Sequence, residues 1–246
     1  MMDFLQSMYR LSKVRAAGLT PSAGRHRYPV RSFREALKGM SVIAEVKYAT
    51  PAEGLLGIGE SPSELASRFQ SLGAAAVSCL TEPHFFSGSL SYLQEIREAC
   101  SLPVLMKDFI VDPRQILAGR ELGADAFLLI TEMLQADELE DLYACGRELG
   151  MDCLVEVHGT EGLEKATRIS AEIIGVNARD LSTLEVDPAR HKMMARLLPA
   201  GVCTVAESGI SSPGRLLELR ELGYDAALVG RAMAQEDLRR ALLSCG

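Results

Sequence analysis

Three stretches of this chain repeat one another at a spacing of fifty residues: LGAAAVSCLTE from Leu72, LGADAFLLITE from Leu122 and, two periods on, LGYDAALVGRA from Leu222. The open slot near residue 173 is filled by a further apolar run, EIIGVNARD. Self-similarity of this kind marks a chain built from a repeated supersecondary unit, and the period is long enough for two strand-helix units. Each copy opens on Leu-Gly. Gly73, Gly123 and Gly223 suit the first position past a helix, where the left-handed conformation is cheap only for glycine.

Between these runs lie four more: VIAEV (Val42 to Val46), PVLM (Pro103 to Met106), CLVEV (Cys153 to Val157) and VCTVA (Val202 to Ala206), which brings the strands to eight. Strands written as unbroken apolar runs are buried on both faces, as in parallel sheets. The segments between them, among them SPSELASRFQSLG, DPRQILAGRELG and ADELEDLYACGRELG, place apolar residues at i, i+3, i+4 and i+7 and stop at glycine, the pattern of helices. Eight strands alternating with eight helices make a parallel (β/α)8 TIM barrel. A doubly wound open sheet is the rival, but no GxGxxG follows the first strand. No Pro/Gly/Ser-rich linker interrupts the texture after residue 40, so the chain reads as an N-terminal extension, 1–40, and one catalytic barrel domain, 41–246.

The net charge of -7 argues against nucleic acid as a partner, because binding to its backbone needs a basic face. The charge is uneven: residues 1–40 hold eight Lys/Arg against Asp3 and Glu35, which leaves -13 for the remainder (-7 minus +6). That basic arm is either a solvated tail or a cover for an anionic ligand. None of the six cysteines has CxxC or Cys/His ligand spacing, so they read as reduced and structural. With no signal-peptide pattern and no apolar stretch of membrane-spanning length, the expectation is a cytoplasmic protein without membrane contact.

Barrel enzymes carry their chemistry at the C-terminal ends of the strands. Here the first strand ends in Glu45-Val46-Lys47, the third in Lys107-Asp108, the fifth in Glu156-Val157-His158, the sixth in Asn177-Ala178-Arg179 and the seventh in Glu207-Ser208-Gly209. Glu45 and Lys47 are two apart and so share a face. A set of internal salt bridges would explain any one of these residues but not all of them, because burying so many charges is costly. Lys107 among carboxylates stays protonated, as a general acid must; a Schiff-base lysine would have to be neutral. Gly209 and Gly230 follow the seventh and eighth strands, where this fold usually cradles phosphate. His84 and His158 read as ordinary rim residues, and the histidine spacing offers no metal site.

These residues, in this order, resemble the indole-3-glycerol-phosphate synthase family of tryptophan biosynthesis. The resemblance runs from about Ser32 to Leu238 and is most specific in LPVLMKDFIVD and IIGVNARDL; VIAEVKYATPAEG, LTEPHFFSGS, LVEVH, VAESGI and ALVGRAM extend it. It implies a carboxy-lyase that closes an indole ring on carboxyphenylamino-deoxyribulose phosphate with loss of carbon dioxide and water, needing no cofactor or metal. By position, Lys107 resembles the general acid, Lys47 the partner of the substrate carboxylate, and Glu156 and Glu45 the acid/base carboxylates of the later steps. Asn177, Arg179, Glu207 and Thr50 fall on substrate-binding positions, and Ser208, Gly209, Gly230 and Arg231 on the phosphate loops. The expected partners are the phosphorylated small-molecule substrate and other enzymes of the tryptophan pathway.

The chain departs from the family in the loop after the first strand. The usual Lys-x-x-Ser-Pro-Ser-x-Gly is written Lys47-Tyr48-Ala49-Thr50-Pro51-Ala52-Glu53-Gly54, which keeps one hydroxyl and loses another. Two rivals remain. An aminosugar isomerase of similar architecture would need a Cys base and an Asp acid at strand ends, and neither appears at the first strand or in the mouth cluster. A barrel with altered catalysis that binds another phosphorylated ligand would have little reason to hold this charge set.

Overall fold

The computed structural model describes residues 4–21, 27–181, 183–230 and 233. Eight parallel strands close into a barrel: β1 (Ser41–Val46), β2 (Ala76–Leu80), β3 (Val104–Lys107), β4 (Ala126–Ile130), β5 (Asp152–Val157), β6 (Ile173–Asn177), β7 (Cys203–Glu207) and β8 (Ala226–Val229), each beside its neighbours in sequence, with β8 returning to β1. Two helices precede the barrel, α1 (Phe4–Ala17) and α2 (Phe33–Ala36). Seven follow strands β1 to β7 in turn: α3 (Pro62–Ser71), α4 (Ser91–Ala99), α5 (Pro113–Glu121), α6 (Ala136–Glu148), α7 (Thr160–Arg168), α8 (Ala189–Ala195) and α9 (Pro213–Glu221). The eighth helix falls outside the described residues.

Local chemistry accounts for the helix limits. Ser61 accepts from the Glu64 amide while the Glu64 carboxylate accepts from the Ser61 amide, a reciprocal cap at the start of α3. Asp112 and Ser212 cap α5 and α9, each followed by proline, whose missing N–H costs nothing in a first turn. At the other end Gly73, Gly123 and Gly223 have φ of 93°, 95° and 92°, as the Leu-Gly repeats require.

The fourth copy of the repeat is displaced. Ser170 takes the left-handed place with φ 54°, its amide bonded to the Thr167 carbonyl, and β6 begins at Ile173. The even-numbered strands therefore start 50, 47 and 53 residues apart, at 76, 126, 173 and 226. The interval is three residues short before β6 and three long after it, where Arg179 and Val186 form a bridge within the loop that leads to α8.

The cations of the basic arm divide between contacts with the barrel and exposure to solvent. Met8, Ser12 and Ala16 are buried where α1 packs on the barrel, and Lys13 donates to the Val111 carbonyl at 2.8 Å. Arg15 grips Asp108 through both guanidinium nitrogens, at 3.1 and 2.5 Å, and Arg31 donates to the carbonyls of Cys100 and Leu102. These three cations are engaged by the barrel, whereas Arg10, Arg27, Arg34 and Lys38 are exposed, as the solvated reading expects. Among the described residues, no helix is long and apolar enough to cross a membrane.

Candidate active site

Residues in a barrel interior stack in layers drawn from alternate strands, and in this chain the alternation separates charge from grease. The odd strands β1, β3, β5 and β7 supply Glu45, Lys107, Glu156 and Glu207; the even strands β2, β4, β6 and β8 supply Leu80, Ile130, Asn177 and Leu228. Register keeps these side chains at neighbouring heights, since Leu80 pairs with Lys107, Ile130 with Glu156, and Asn177 with Glu207. All of them but Glu207 form the floor of a cleft of about 900 Å³, including its open mouth, whose walls add Lys47, Phe86, Phe109, Arg179, Leu181, Ser208, Gly209 and Gly230. An apolar wall with a few convergent charges suits a substrate that is aromatic at one end and polar at the other.

Lys107 sits at the centre of the charges. Its Nζ is 2.6 Å from Glu207 Oε2, 3.8 Å from Glu156 Oε2 and 4.0 Å from Glu45 Oε1. The three carboxylates are only 1%, 2% and 5% exposed (Glu207, Glu156 and Glu45), so little water screens them. Burial works against the ammonium, but Glu207, Glu156 and Glu45 together overcome it and raise the Lys107 pKa well above its ordinary value. The amine is thus held protonated, as proton donation requires and Schiff-base chemistry does not. Glu207 answers to burial first, which raises it; Lys107 lowers it, the neighbouring Glu156 raises it, and the result is pushed up to about 7. Glu45 is the opposite case: burial raises it, but Lys47 and Lys107 prevail and hold it below the usual carboxylate range. Lys47 is hydrogen-bonded to Glu45 from the turn just past β1.

The glycines of the site make room for this cage. A Cβ on Gly230 would strike the Glu45 carboxylate and come within 2.6 Å of Lys47 Nζ, and one on Gly175 would strike Glu207. After β7 the backbone turns left-handed twice, at Ser208 (φ 65°) and Gly209 (φ 70°), although serine rarely adopts that conformation. Such a turn reorients successive backbone N–H groups and is a common way to build an anion cradle.

Most of the residues expected from sequence line the cleft: Lys107, Lys47, Glu45, Glu156, Asn177, Arg179, Ser208, Gly209 and Gly230. Glu207 lies behind Lys107 rather than on the surface of the cleft, as its partner. Thr50 is outside the lining. It belongs to a two-residue hairpin, Ala49–Thr50 against Gly54–Leu55, where its hydroxyl accepts the Glu53 amide at 3.1 Å, and Ala52 is exposed at the tip. Arg231 lies outside the described residues. Asn177 Oδ1 accepts the Arg179 amide at 2.9 Å, which fixes the side-chain amide, and the Arg179 guanidinium donates to the Leu184 carbonyl at 2.6 Å.

Sequence reasoning missed three contributors. Asp108 accepts from Arg15, from Thr81 Oγ1 at 2.7 Å and from the Phe109 amide, so α1 is tied to the residue beside the lysine. Glu82 collects the amides of His84, Phe85 and Phe86, shaping the loop that carries an aromatic wall; this is the only role His84 plays in that clamp, through its backbone. The ring of His158 is not a backbone-bonded rim group: it lies 2.9 Å from Glu132 and 3.7 Å from Glu156. The phenylalanine pair in LTEPHFF and the Glu-x-His at the end of β5 were the available signals.

A closed parallel barrel with a protonated lysine caged by carboxylates at its C-terminal mouth defines an enzyme of the (β/α)8 class. The sequence model for indole-3-glycerol phosphate synthase matches residues 7–244, and the chain belongs to that family. It is 42% identical over 216 residues to an indole-3-glycerol phosphate synthase of Chlorobium phaeovibrioides, covering 86% of this chain and 84% of the relative. It is 45% identical over 202 residues to one from Sulfurimonas denitrificans, covering 82% and 77%. Among solved structures the barrel is similar to an N-acetylmannosamine-6-phosphate 2-epimerase from Clostridium perfringens (TM-score 0.64, 15% identity, 85% of this chain and 94% of that one). A thiamine phosphate pyrophosphorylase from Pyrococcus furiosus is comparable (TM-score 0.63, 16% identity, 87% and 96%). At those identities the two structures speak for the fold alone.

Proposed function

We propose a division of labour among the mouth residues for the activity of this family. The chain is a carboxy-lyase of tryptophan biosynthesis that converts carboxyphenylamino-deoxyribulose phosphate to indole glycerol phosphate. Lys107 is the general acid: as the ring carbon bearing the carboxylate bonds to the ribulose carbonyl carbon, the carbonyl oxygen takes its proton. The bond to the carboxylate then breaks, carbon dioxide leaves, and its electron pair restores the aromatic ring. In the final dehydration a proton must reach the departing hydroxyl and another must leave the adjacent carbon, and Glu156 and Glu45 are the acid/base pair for those transfers. Lys47 holds the substrate carboxylate until it is lost, with Arg179 supporting that side, Asn177 orients the substrate, and Ser208, Gly209 and Gly230 cradle the phosphate.

The observation that carries this reading is the Lys107 ammonium within 4.0 Å of three buried carboxylates at the barrel mouth. The test is direct, because the chain has no tryptophan and the product is an indole. Mixing the protein with the substrate should develop indole fluorescence together with release of carbon dioxide; no signal at any substrate concentration would sink the assignment. Cytoplasmic residence is proposed as well, supported by the free state of Cys79, Cys100, Cys145, Cys153 and Cys203.

A further inference from the structure

The ring closure consumes one proton per turnover, because a substrate carboxylate departs as neutral carbon dioxide while the other transfers cancel. That proton comes from solvent, yet Lys107, the donor, is enclosed by glutamates. Two of the three have no route outward. Glu45 is held as a carboxylate by Lys47 and Lys107, and Glu207, though it can hold a proton, turns its unpartnered Oε1 onto Gly175 rather than towards a titratable group at the rim. Glu156 faces both ways: Oε2 is 3.8 Å from Lys107 Nζ, and Oε1 is 3.7 Å from His158 Nε2. Among the described residues Oε1 has no hydrogen-bond partner, so it is open to a proton.

Behind the imidazole stands Glu132. Its Oε2 lies 2.9 Å from His158 Nδ1, off the line of an ideal hydrogen bond, and its Oε1 accepts the His158 amide at 2.9 Å. Thr131 Oγ1 steadies the carboxylate from the same loop at 2.9 Å. The His158 and Glu132 side chains are 11% and 28% exposed, against 2% for Glu156, so the row from lysine to glutamate climbs to the solvent. We infer that His158, held by Glu132, is the proton relay that recharges Lys107 through Glu156; this rests on the function proposed above.

In the relay step the Nε2–H bond of an imidazolium breaks and an O–H bond forms on Glu156 Oε1. A half-turn of the carboxyl group presents that proton to the neutral Lys107 amine. The ring, left with its proton on Nδ1 towards Glu132, then swings outward to take another on Nε2 from water at the rim, since both nitrogens are covered in the resting position. The gaps near Glu156 exceed a hydrogen bond by under an ångström, a distance that side-chain rotation in the loaded site can close. Three charged groups face the ring, Glu156 at the end of β5, Glu132 after β4 and Arg190 from α8, with Lys107 on the far side of Glu156. Burial and Arg190 oppose the imidazolium, the two carboxylates favour it, and the balance lies above the ordinary histidine value.

The experiment compares His158→Ala and Glu132→Gln with wild type across pH, adding imidazole to the first. For His158→Ala the expected result is a kcat lower by about 10- to 100-fold, a KM within about twofold, and partial recovery of kcat with imidazole. For Glu132→Gln the alkaline fall of kcat should move to lower pH, because the imidazolium has lost a carboxylate that raised its pKa. An undiminished kcat in His158→Ala, a loss that imidazole leaves untouched, or an unmoved alkaline limb in Glu132→Gln would each overturn the relay. Wild-type protein without ring closure would instead overturn the parent assignment.

Discussion

Replacing Lys107 by methionine keeps most of the side-chain volume and removes its charge, so two separate losses can be read from one variant. The first is catalytic: without the acid, kcat should fall by about 10²- to 10⁴-fold while KM changes little, the usual worth of one positioned proton donor. The second is a change in stability whose size depends on pH. Taking the cation from a buried pair costs about 3–5 kcal/mol when the partner stays charged, and the partner here is Glu207, 2.6 Å away. Glu207 has an escape, since it is already pushed up to about 7 and binds a proton in mild acid. A carboxyl raised in the folded state gives stability that is complete below its unfolded value and is lost as pH rises through its folded value. Wild type should therefore lose stability from Glu207 as pH rises from the ordinary carboxylate range through about 7. In Lys107→Met the folded value climbs further and the loss continues above pH 7. Urea unfolding followed by circular dichroism should find the two proteins close in stability near pH 5 and about 3–5 kcal/mol apart near pH 9. A constant difference would refute the cage as the source of the effect, and near-normal turnover would move the acid role to Lys47.

Two further substitutions test the space around the cage and the cradle. Gly175→Ala places a methyl on the Glu207 carboxylate and 3.1 Å from Leu154 Cδ1, so it should cost about 1–3 kcal/mol of stability and lower kcat roughly tenfold without raising KM; unchanged kinetics would show that Glu207 has room to move. Gly209→Ala forces a side chain onto φ 70° with its Cβ 3.0 Å from Val186, and should raise KM several-fold with kcat nearly intact, with inorganic phosphate competing against substrate in wild type. A KM indifferent to both would place the phosphate elsewhere.

How far the sequence could be read depends on the range of the interaction behind each feature. Leu-Gly at 72–73, 122–123 and 222–223 reports a backbone conformation set within five residues, and it appears where the repeat places it. Charges that interrupt apolar strands at Glu45, Lys107, Glu156 and Glu207 are legible for another reason: in a closed barrel the inward faces converge, so a polar residue near a strand end has few places to go but the mouth. Partners were less accessible. Asp108 adjoins Lys107 in sequence, yet it is claimed by Arg15 from ninety-three positions earlier, and nothing in the spacing of either residue announces that pairing. The Thr50 hydroxyl accepts from its own turn because a backbone amide three residues on lies within hydrogen-bond reach, a local geometry that the loop's resemblance did not reveal.

The odd and even strands suggest why so costly a set of charges is tolerated. Were carboxylates and lysines spread over all eight strands, every inward residue near the mouth would need a polar neighbour, and the substrate's aromatic part would have no dry wall. With charge confined to β1, β3, β5 and β7, each charged side chain is flanked by strands that offer Leu80, Ile130, Leu228 or the neutral Asn177. Those apolar neighbours keep water out, and so both strengthen the hold of the carboxylates on Lys107 and raise Glu207 towards neutrality. The same exclusion makes the acid hard to recharge, which is why a proton-consuming reaction in this mouth needs a carboxylate such as Glu156 that touches the cage on one side and reaches towards the rim on the other.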